Sequence, residues 1–369
     1  MTILQRLVLK GYKSIKAMDI EIRSLNVVIG ANGAGKSNLV SFFKMLNEMM
    51  GGRLQQFIGS SGHSQSLLHF GPKITPQMEA RLEFLVENGI DKYSMRLFHA
   101  AGDTLIFADE TLSFQRIGSP TPHTISLGAG HLETRIGEKA ESGDQTAKVF
   151  RHILNHCRVY HFHDTSPTSR VRQHCYKGDN RWLMPDAGNL AAFLMRLRSE
   201  NDGSAYRRIV DTIRLIAPFF DDFVLEPVGP AKQEVILNWR EKDSDQLFGP
   251  HQFSDGTLRA ICLAALLLQP EDEFPCLILV DEPELGLHPY ALNVLASLFA
   301  KASHHTQVVI CTQSTSLLDN FDPEDIIVVN RIGKESEFVR PDSAKLKAWL
   351  NDYSLGQVWE KNIMGGGPH

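Results

Sequence analysis

The octapeptide GANGAGKS, Gly30 to Ser37, sets two glycines, a lysine and a hydroxyl at the spacing G-x-x-x-x-G-K-[ST]. Gly30 and Gly35 let the backbone curl so that successive N–H groups point inward at phosphate oxygens. A helix starting at Lys36 would add the positive end of its dipole. In this arrangement Lys36 bridges the β- and γ-phosphates and the Ser37 hydroxyl binds Mg²⁺. The candidate phosphate cradle is therefore Gly30, Ala31, Asn32, Gly33, Ala34, Gly35, Lys36 and Ser37, continued by Asn38.

A second chemical stretch is CLILVDEPELGLHP, Cys276 to Pro289, an apolar run that ends in carboxylates. A buried strand here delivers Asp281 to the carboxyl edge of a sheet, where open α/β sheets bind ligands. Asp281 is placed to hold Mg²⁺. Glu282 is placed to orient or deprotonate an attacking water, and Lys36 and Glu282 are the catalytic candidates. Glu284 either joins the metal's surroundings or precedes the turn at Gly286.

The third stretch, FSDGTLRAICLAALLL, sets Ser254, Asp255, Gly256 and Thr257 against an apolar run that reads as a buried helix. Ser254 or Asp255 can cap that helix. The same groups, with the helix dipole, can instead hold an anion.

These residues need elements to position them. LNVVI before the cradle reads as a buried strand, and Lys36 to about Met50 as a helix with Leu39, Phe42, Phe43 and Leu46 on one face. Residues 2–9 and 17–29 have strand character. The run 51–66, rich in Gly and Ser, reads as a mobile loop. Residues 78–100 read as a hairpin turning at Asn88 and Gly89, and 117–148 as an irregular excursion. Residues 151–214 read as helical at both ends with an irregular middle. Strand-like runs follow at 223–228 and 233–239. From 254 onward, helices alternate with strands at 276–281, 306–312 and 325–330, which argues for α/β with mostly parallel strands.

The 369 residues are 43% hydrophobic and 22% charged, with net charge −5, so no global basic field points to nucleic acid or membrane. Five scattered cysteines fit reduced, buried thiols better than a disulfide framework. No apolar leader with a cleavage site and no run of eighteen apolar residues is present, and the expected location is the cytoplasm, without a membrane anchor.

Together, GYKSI near the start, GANGAGKS, FSDGTLR, VDEPELGLHP and CTQSTSLLD resemble the ABC-type ATPase heads of the RecF, SMC and OLD group, closest to its single-chain AAA-15 or AAA-21 ATPases. The resemblance covers roughly residues 1–50 and 250–330. It implies an α/β P-loop NTPase of ABC-ATPase type, with a mostly parallel core sheet, an antiparallel β lobe and a helical lobe inserted between the Walker motifs. The implied division is 1–115 (cradle and β lobe), 116–222 (irregular and helical lobe) and 223–369 (signature, carboxylate strand and switch).

The resemblance also implies ATP and Mg²⁺ as ligands, slow hydrolysis to ADP and phosphate, and an ATP-dependent homodimer. In that dimer Ser254 and Gly256 meet the ATP held by a second copy, and Glu284 to Pro289 forms a dimer-contacting turn. Gln313 occupies the slot where a histidine is commoner and would sense the γ-phosphate without carrying charge. Asp255 beside a triphosphate needs Arg259 or the metal to neutralise it.

The expected output is DNA sensing or repair, or control of a separately encoded effector such as a nuclease or toxin in anti-phage defence. A structural ATP-binding scaffold and a transporter ATPase are the rivals. No TOPRIM-like acidic cluster follows Gln313, and no sustained heptad arm occurs. Lys10 and Lys13 read either as phosphate contacts or as solvated edge lysines. Residues 151–214 carry 11 Lys and Arg against 6 Asp and Glu, which fits either DNA contact or an amphipathic helical surface. His161, His163 and His174 with Cys175 read either as zinc ligands or as a polar hinge between lobes.

Overall fold

The computed structural model describes residues 2–367. The chain opens with β1 (Ile3–Tyr12), β2 (Ile15–Glu21) and β3 (Leu25–Ile29), then α1 (Lys36–Met50), α2 (Leu54–Ser60) and α3 (His63–Leu67). β4 (Gln77–Val86), β5 (Gly89–Ala100), β6 (Thr104–Arg116) and β7 (His123–Gly128) follow, then α4 (Ile136–Glu141), α5 (Gln145–Asn155) and β8 (Cys157–Tyr160). After β9 (Cys175–Tyr176) come α6 (Leu190–Ser199) and α7 (Ser204–Ile216), then β10 (Phe220–Val224), β11 (Glu234–Val235), β12 (Asn238–Glu241) and β13 (Leu247–Phe248). The last third holds α8 (Asp255–Leu267), β14 (Leu277–Asp281), α9 (Pro289–Ala302), β15 (Gln307–Thr312) and α10 (Thr315–Leu318). It closes with β16 (Ile326–Ile332), β17 (Glu335–Val339), α11 (Ser343–Leu350) and α12 (Leu355–Glu360).

Two six-stranded sheets dominate. One is antiparallel, in the order β2-β1-β4-β5-β6-β7; the other runs β17-β16-β3-β15-β14-β8, parallel except for β17. The parallel strands are apolar on both faces because both are covered. Their period-2 side chains feed two cores. Val27, Ile29, Ile278, Val280, Val308 and Ile310 pack with α6 to α9, whereas Val28, Leu277, Leu279 and Val309 pack with α1 and the antiparallel sheet. The antiparallel strands alternate instead. Leu7, Leu9, Leu82, Phe84, Tyr93 and Leu97 point inward, and Arg6 pairs with Asp19 at 2.6 Å on the solvent side.

The α/β class and the mixture of a parallel core with an antiparallel lobe are as expected, and α1 spans Lys36–Met50. Several local expectations need correction. The Gly- and Ser-rich run 51–66 holds two short helices, because Leu54, Ile58 and Leu67 are buried. The 78–100 hairpin turns on Glu87 and Asn88, with Gly89 already paired to Val86. Within 117–148, β7 extends the antiparallel sheet and α4 and α5 pack beneath it. The helical end expected at 151 stops at Asn155, and CRVY becomes β8 beside β14. None of the described helices is long and apolar enough to cross a membrane.

Candidate nucleotide site

Register brings the chemistry to one edge. Asp281 on β14 is level with Cys311 on β15, and Thr312 is level with Ile29 on β3. The chain therefore leaves β3 at Gly30, β14 at Glu282 and β15 at Gln313 along the same carboxyl edge. This is the position at which open parallel sheets bind ligands.

The cradle opens α1 without a side-chain cap. Gly35, its N-cap, has φ 118°, no acidic residue stands in the first turn, and a Cβ there would overlap Ser336. Ser336 Oγ donates to the Ala34 carbonyl, and Asn38 Nδ2 donates to Ser14 Oγ at 2.5 Å, so β17 and the β1–β2 turn brace the loop from outside. Lys36 is buried. Its Nζ donates to Gly30 O at 2.6 Å and to Ala31 O at 3.3 Å, and desolvation pulls its pKa down. The nearby Cys311 and the carboxylates of Glu282, Asp281 and Glu284 oppose that shift.

Two carboxylates at this edge are incompletely paired. Asp281 Oδ1 and Glu284 Oε2 are buried without a hydrogen-bond partner, and burial raises the pKa of both groups. A buried, unpaired carboxylate oxygen is costly unless a cation or proton joins it. Glu282 adopts φ 43°, a left-handed backbone costly for a side chain with a Cβ. Its N–H donates to Cys311 O at 2.7 Å, which holds that conformation. Glu284, left open by the sequence, bridges two strand ends. Its Oε1 accepts from Thr312 Oγ1 at 2.6 Å and from the Gln313 N–H at 3.1 Å.

At α8 the Ser254 Oγ accepts the Thr257 N–H at 3.1 Å, so within one chain it acts as an N-cap. Gly256 lies flush on the turn after β14, where any Cβ would overlap the Gly286 carbonyl oxygen. The cation expected to neutralise Asp255 is corrected. It is Arg172, almost fully buried, whose Nη2 lies 2.9 Å from Asp255 Oδ1. Arg259 instead clasps the carbonyls of Leu285, His163 and Phe162 at 2.8–3.1 Å. Arg172 also donates to the carbonyls of Thr165 and Phe253. No motif marks Arg172, because its partner is 83 residues away.

The histidines do not gather into one cluster. His163 Nε2 donates to Asp281 O at 2.8 Å, and His174 faces Glu234 at 3.7 Å near the surface. Among the described residues no three His, Cys, Asp or Glu side chains converge as metal ligands. Lys13 is half-buried and donates to Ser41 Oγ at 2.7 Å. The arginines of 151–214 are largely spent inside the chain. Arg196 binds Glu273 at 2.6 Å, Arg214 meets Asp221, and Arg158 and Arg181 stack on Trp182.

Residues 166–319 match the family described as "AAA domain, putative AbiEii toxin, Type IV TA system". The chain is similar in structure to an Smc head bound to the C-winged helix domain of ScpA, with TM-score 0.60 and 16% identity over 91% of this chain and 97% of that one. It is also similar to the Pyrococcus furiosus Smc head with an extended coiled coil bound to the C-terminal domain of ScpA. There the TM-score is 0.59 and the identity 15%, over 95% of this chain and 99% of that one. The energy-coupling factor transporter ATP-binding protein EcfA2 of Streptococcus pneumoniae is 25% identical over 160 residues, 38% of this chain and 55% of that protein. The chain thus spans about half the length of the curated relatives it matches. The motif order, the two-sheet architecture and these likenesses agree on the fold: the chain has the α/β P-loop architecture of the Smc heads, and its residues 166–319 match the AAA-domain family model.

Proposed function

We propose that the chain binds ATP with Mg²⁺ and hydrolyses it slowly between two copies of itself. The observation that carries this reading is the pair of orphaned, buried oxygens on Asp281 and Glu284, at the same sheet edge as an uncapped helix N-terminus. Those atoms suit a hard divalent cation, held by Ser37 and Asp281 and supplying charge neutralisation for the phosphates. The backbone from Gly30 to Asn38 cradles the phosphates, and Lys36 exchanges its carbonyl contacts for phosphate oxygens. Glu282, aimed by its left-handed backbone, takes the proton of the attacking water. Gln313 donates a hydrogen bond toward the γ-phosphate, and its backbone tie to Glu284 links that sensing to the carboxylate strand. Ser254 and Gly256 of one copy close over the nucleotide of the other.

The output of this cycle is control of a separately encoded effector, a nuclease or toxin. The AbiEii description of the matched family and the ScpA-bound heads favour a protein partner. The internal pairing of the 151–214 arginines weighs against that stretch as a DNA surface. We propose the division 1–115, 116–222 and 223–369 for the three parts of the head. A transporter role rests on the EcfA2 likeness over part of the chain.

The test is paired. Glu282→Gln accumulates an ATP-bound dimer in size-exclusion chromatography with light scattering, and Lys36→Ala stays monomeric with ATP present. Equal behaviour of the two variants would overturn the sandwich. Affinity purification of Glu282→Gln from its host then separates the outputs. A stoichiometric protein supports effector control, and nuclease-sensitive DNA alone refutes it in favour of repair.

A further inference from the structure

One carboxylate breaks the inward row of β5. Gly89, Asp91, Tyr93, Met95 and Leu97 alternate onto the core-facing side of that strand, and Tyr93, Met95 and Leu97 pack into the core beneath the antiparallel sheet. Asp91 thus stands where the period of two requires an apolar side chain. It is 2% exposed. Among the described residues no N–H or O–H donates to its carboxylate and no cation pairs with it, so burial alone acts on its pKa and raises it to about 6. Lys92, the next residue, projects from the opposite face of the sheet and pairs with Glu83 at 3.4 Å.

What Asp91 does face is a cavity of about 300 Å³ between the β4–β5 turn, β6 and the start of α5. Val86, Phe114 and Val149 give it apolar walls, Glu87 adds a second carboxylate, and no Lys, Arg or His lines it. Gly89 makes room for the aromatic wall, since a Cβ there would come within 2.6 Å of Phe114 Cε2. Val149 is 43% exposed, so the cavity opens to solvent beside an apolar side chain. The N-terminus of α5 does not supply the missing partner. Its cap is Asp144, whose Oδ1 accepts the Ala147 N–H at 2.9 Å.

A carboxylate held out of water without a partner is costly, and a cation entering beside it removes that cost. A hard metal ion fits poorly, because it needs several oxygen ligands and Val86, Phe114 and Val149 offer none. An ammonium group on an apolar stem fits both halves of the cavity. Its charge meets Asp91, its stem lies on the apolar walls, and the ring of Phe114 adds cation–π attraction. The cavity shares no residue with the nucleotide site.

We propose that this cavity is a second ligand site, which takes an alkylammonium group on a short apolar stem, with Asp91 as its counter-ion and Phe114 and Val149 against the stem. The proposal stands independently of the ATP reading. Calorimetric titration of the full chain with n-pentylammonium chloride at about pH 7.5, where the Asp91 carboxyl is ionised, tests it against the neutral pentan-1-ol. The ammonium binds at least about tenfold more tightly than the alcohol, and Asp91→Asn weakens the ammonium by about tenfold or more. Val149→Lys, which tethers an ammonium to the cavity wall, abolishes binding of the added one. A wild-type chain that does not take up n-pentylammonium overturns the proposal, as does undiminished binding in Asp91→Asn. A lysine-containing tripeptide blocked at both ends distinguishes the sources of the group. Peptide binding on a par with n-pentylammonium places the ammonium on a protein side chain, and exclusion of the peptide restricts the site to small amines.

Discussion

The N-termini of α1 and α8 are the two helix ends read as meeting a triphosphate, and they are built in opposite ways. α1 begins at a glycine with φ 118°, without a side-chain cap or an acidic residue in its first turn. α8 begins at Ser254, which caps its own helix, and carries Asp255 in that turn. An uncapped N-terminus leaves its N–H groups and dipole for a ligand. A capped one is already satisfied and has an exposed hydroxyl to offer something beyond the chain. In the dimer proposed above, the contrast would separate a site that one copy furnishes from a surface that completes another copy's site, with Arg172 buried beside Asp255 to offset its charge. A carboxylate sent to meet a triphosphate is tolerable only with its charge already offset.

Closing the first end gives the largest effect. Gly35→Ala forces a Cβ into Ser336 at a φ that side chains rarely adopt. The expected loss is roughly a hundredfold in ATP affinity by calorimetry, with about 2–3 kcal/mol of stability. Retained affinity would mean that the open end of α1 is not the phosphate site. Arg172→Met comes next, because it strands the carbonyls of Thr165 and Phe253 as well as Asp255. About 2 kcal/mol should vanish from urea unfolding together with dimer formation, whereas Asp255→Asn should leave stability within about 0.5 kcal/mol. Ser254→Ala should cost about 1 kcal/mol, the value of a lost cap, and spare ATP binding to the isolated copy. Loss of binding in that variant would erase the distinction between the two helix ends.

The smallest effect is a pH dependence behind α1. Burial first, and then the nearby Lys44 and His163, lower the His161 pKa to about 4. Between that value and the ordinary 6.5 the unfolded chain binds the proton and the folded chain does not. This contribution to stability is therefore complete above about pH 6.5 and is lost as pH falls toward 4. The ring is partly solvated, so the slope stays below about 1.4 kcal/mol per pH unit. His161→Phe should flatten it in thermal melts between pH 4.5 and 7, and an unchanged slope would assign it to other groups.

What the sequence revealed follows from locality. β3, β14 and β15 are continuous apolar runs that end in chemistry, and each motif sits beside the strand that positions it. β8 is four residues long and is recognisable as a strand only through its pairing with β14. α2 and α3 hide in a Gly- and Ser-rich composition and are helical because three apolar side chains reach the core. The Arg172–Asp255 pair joins segments 83 residues apart, and the tie between Ala31 and Gly366 joins segments more than 300 apart; no local spacing encodes either. Ser254 shows the reverse case. Its capping role was legible, and its proposed meeting with another copy's nucleotide lies outside any single chain.

The strand order has a consequence in time. β3 carries the phosphate loop, yet its neighbours β15 and β16 come almost 300 residues later in the chain. Contacts this distant close slowly, and during synthesis they cannot form at all until the later strands have left the ribosome. Translation at about 5–20 residues per second keeps the loop waiting for roughly a quarter to a full minute, with β3 lacking both partners. Through that interval the growing polypeptide exposes an unpaired apolar strand, and chaperone protection of the nascent chain matters more here than for a protein whose binding loop is assembled from adjacent segments.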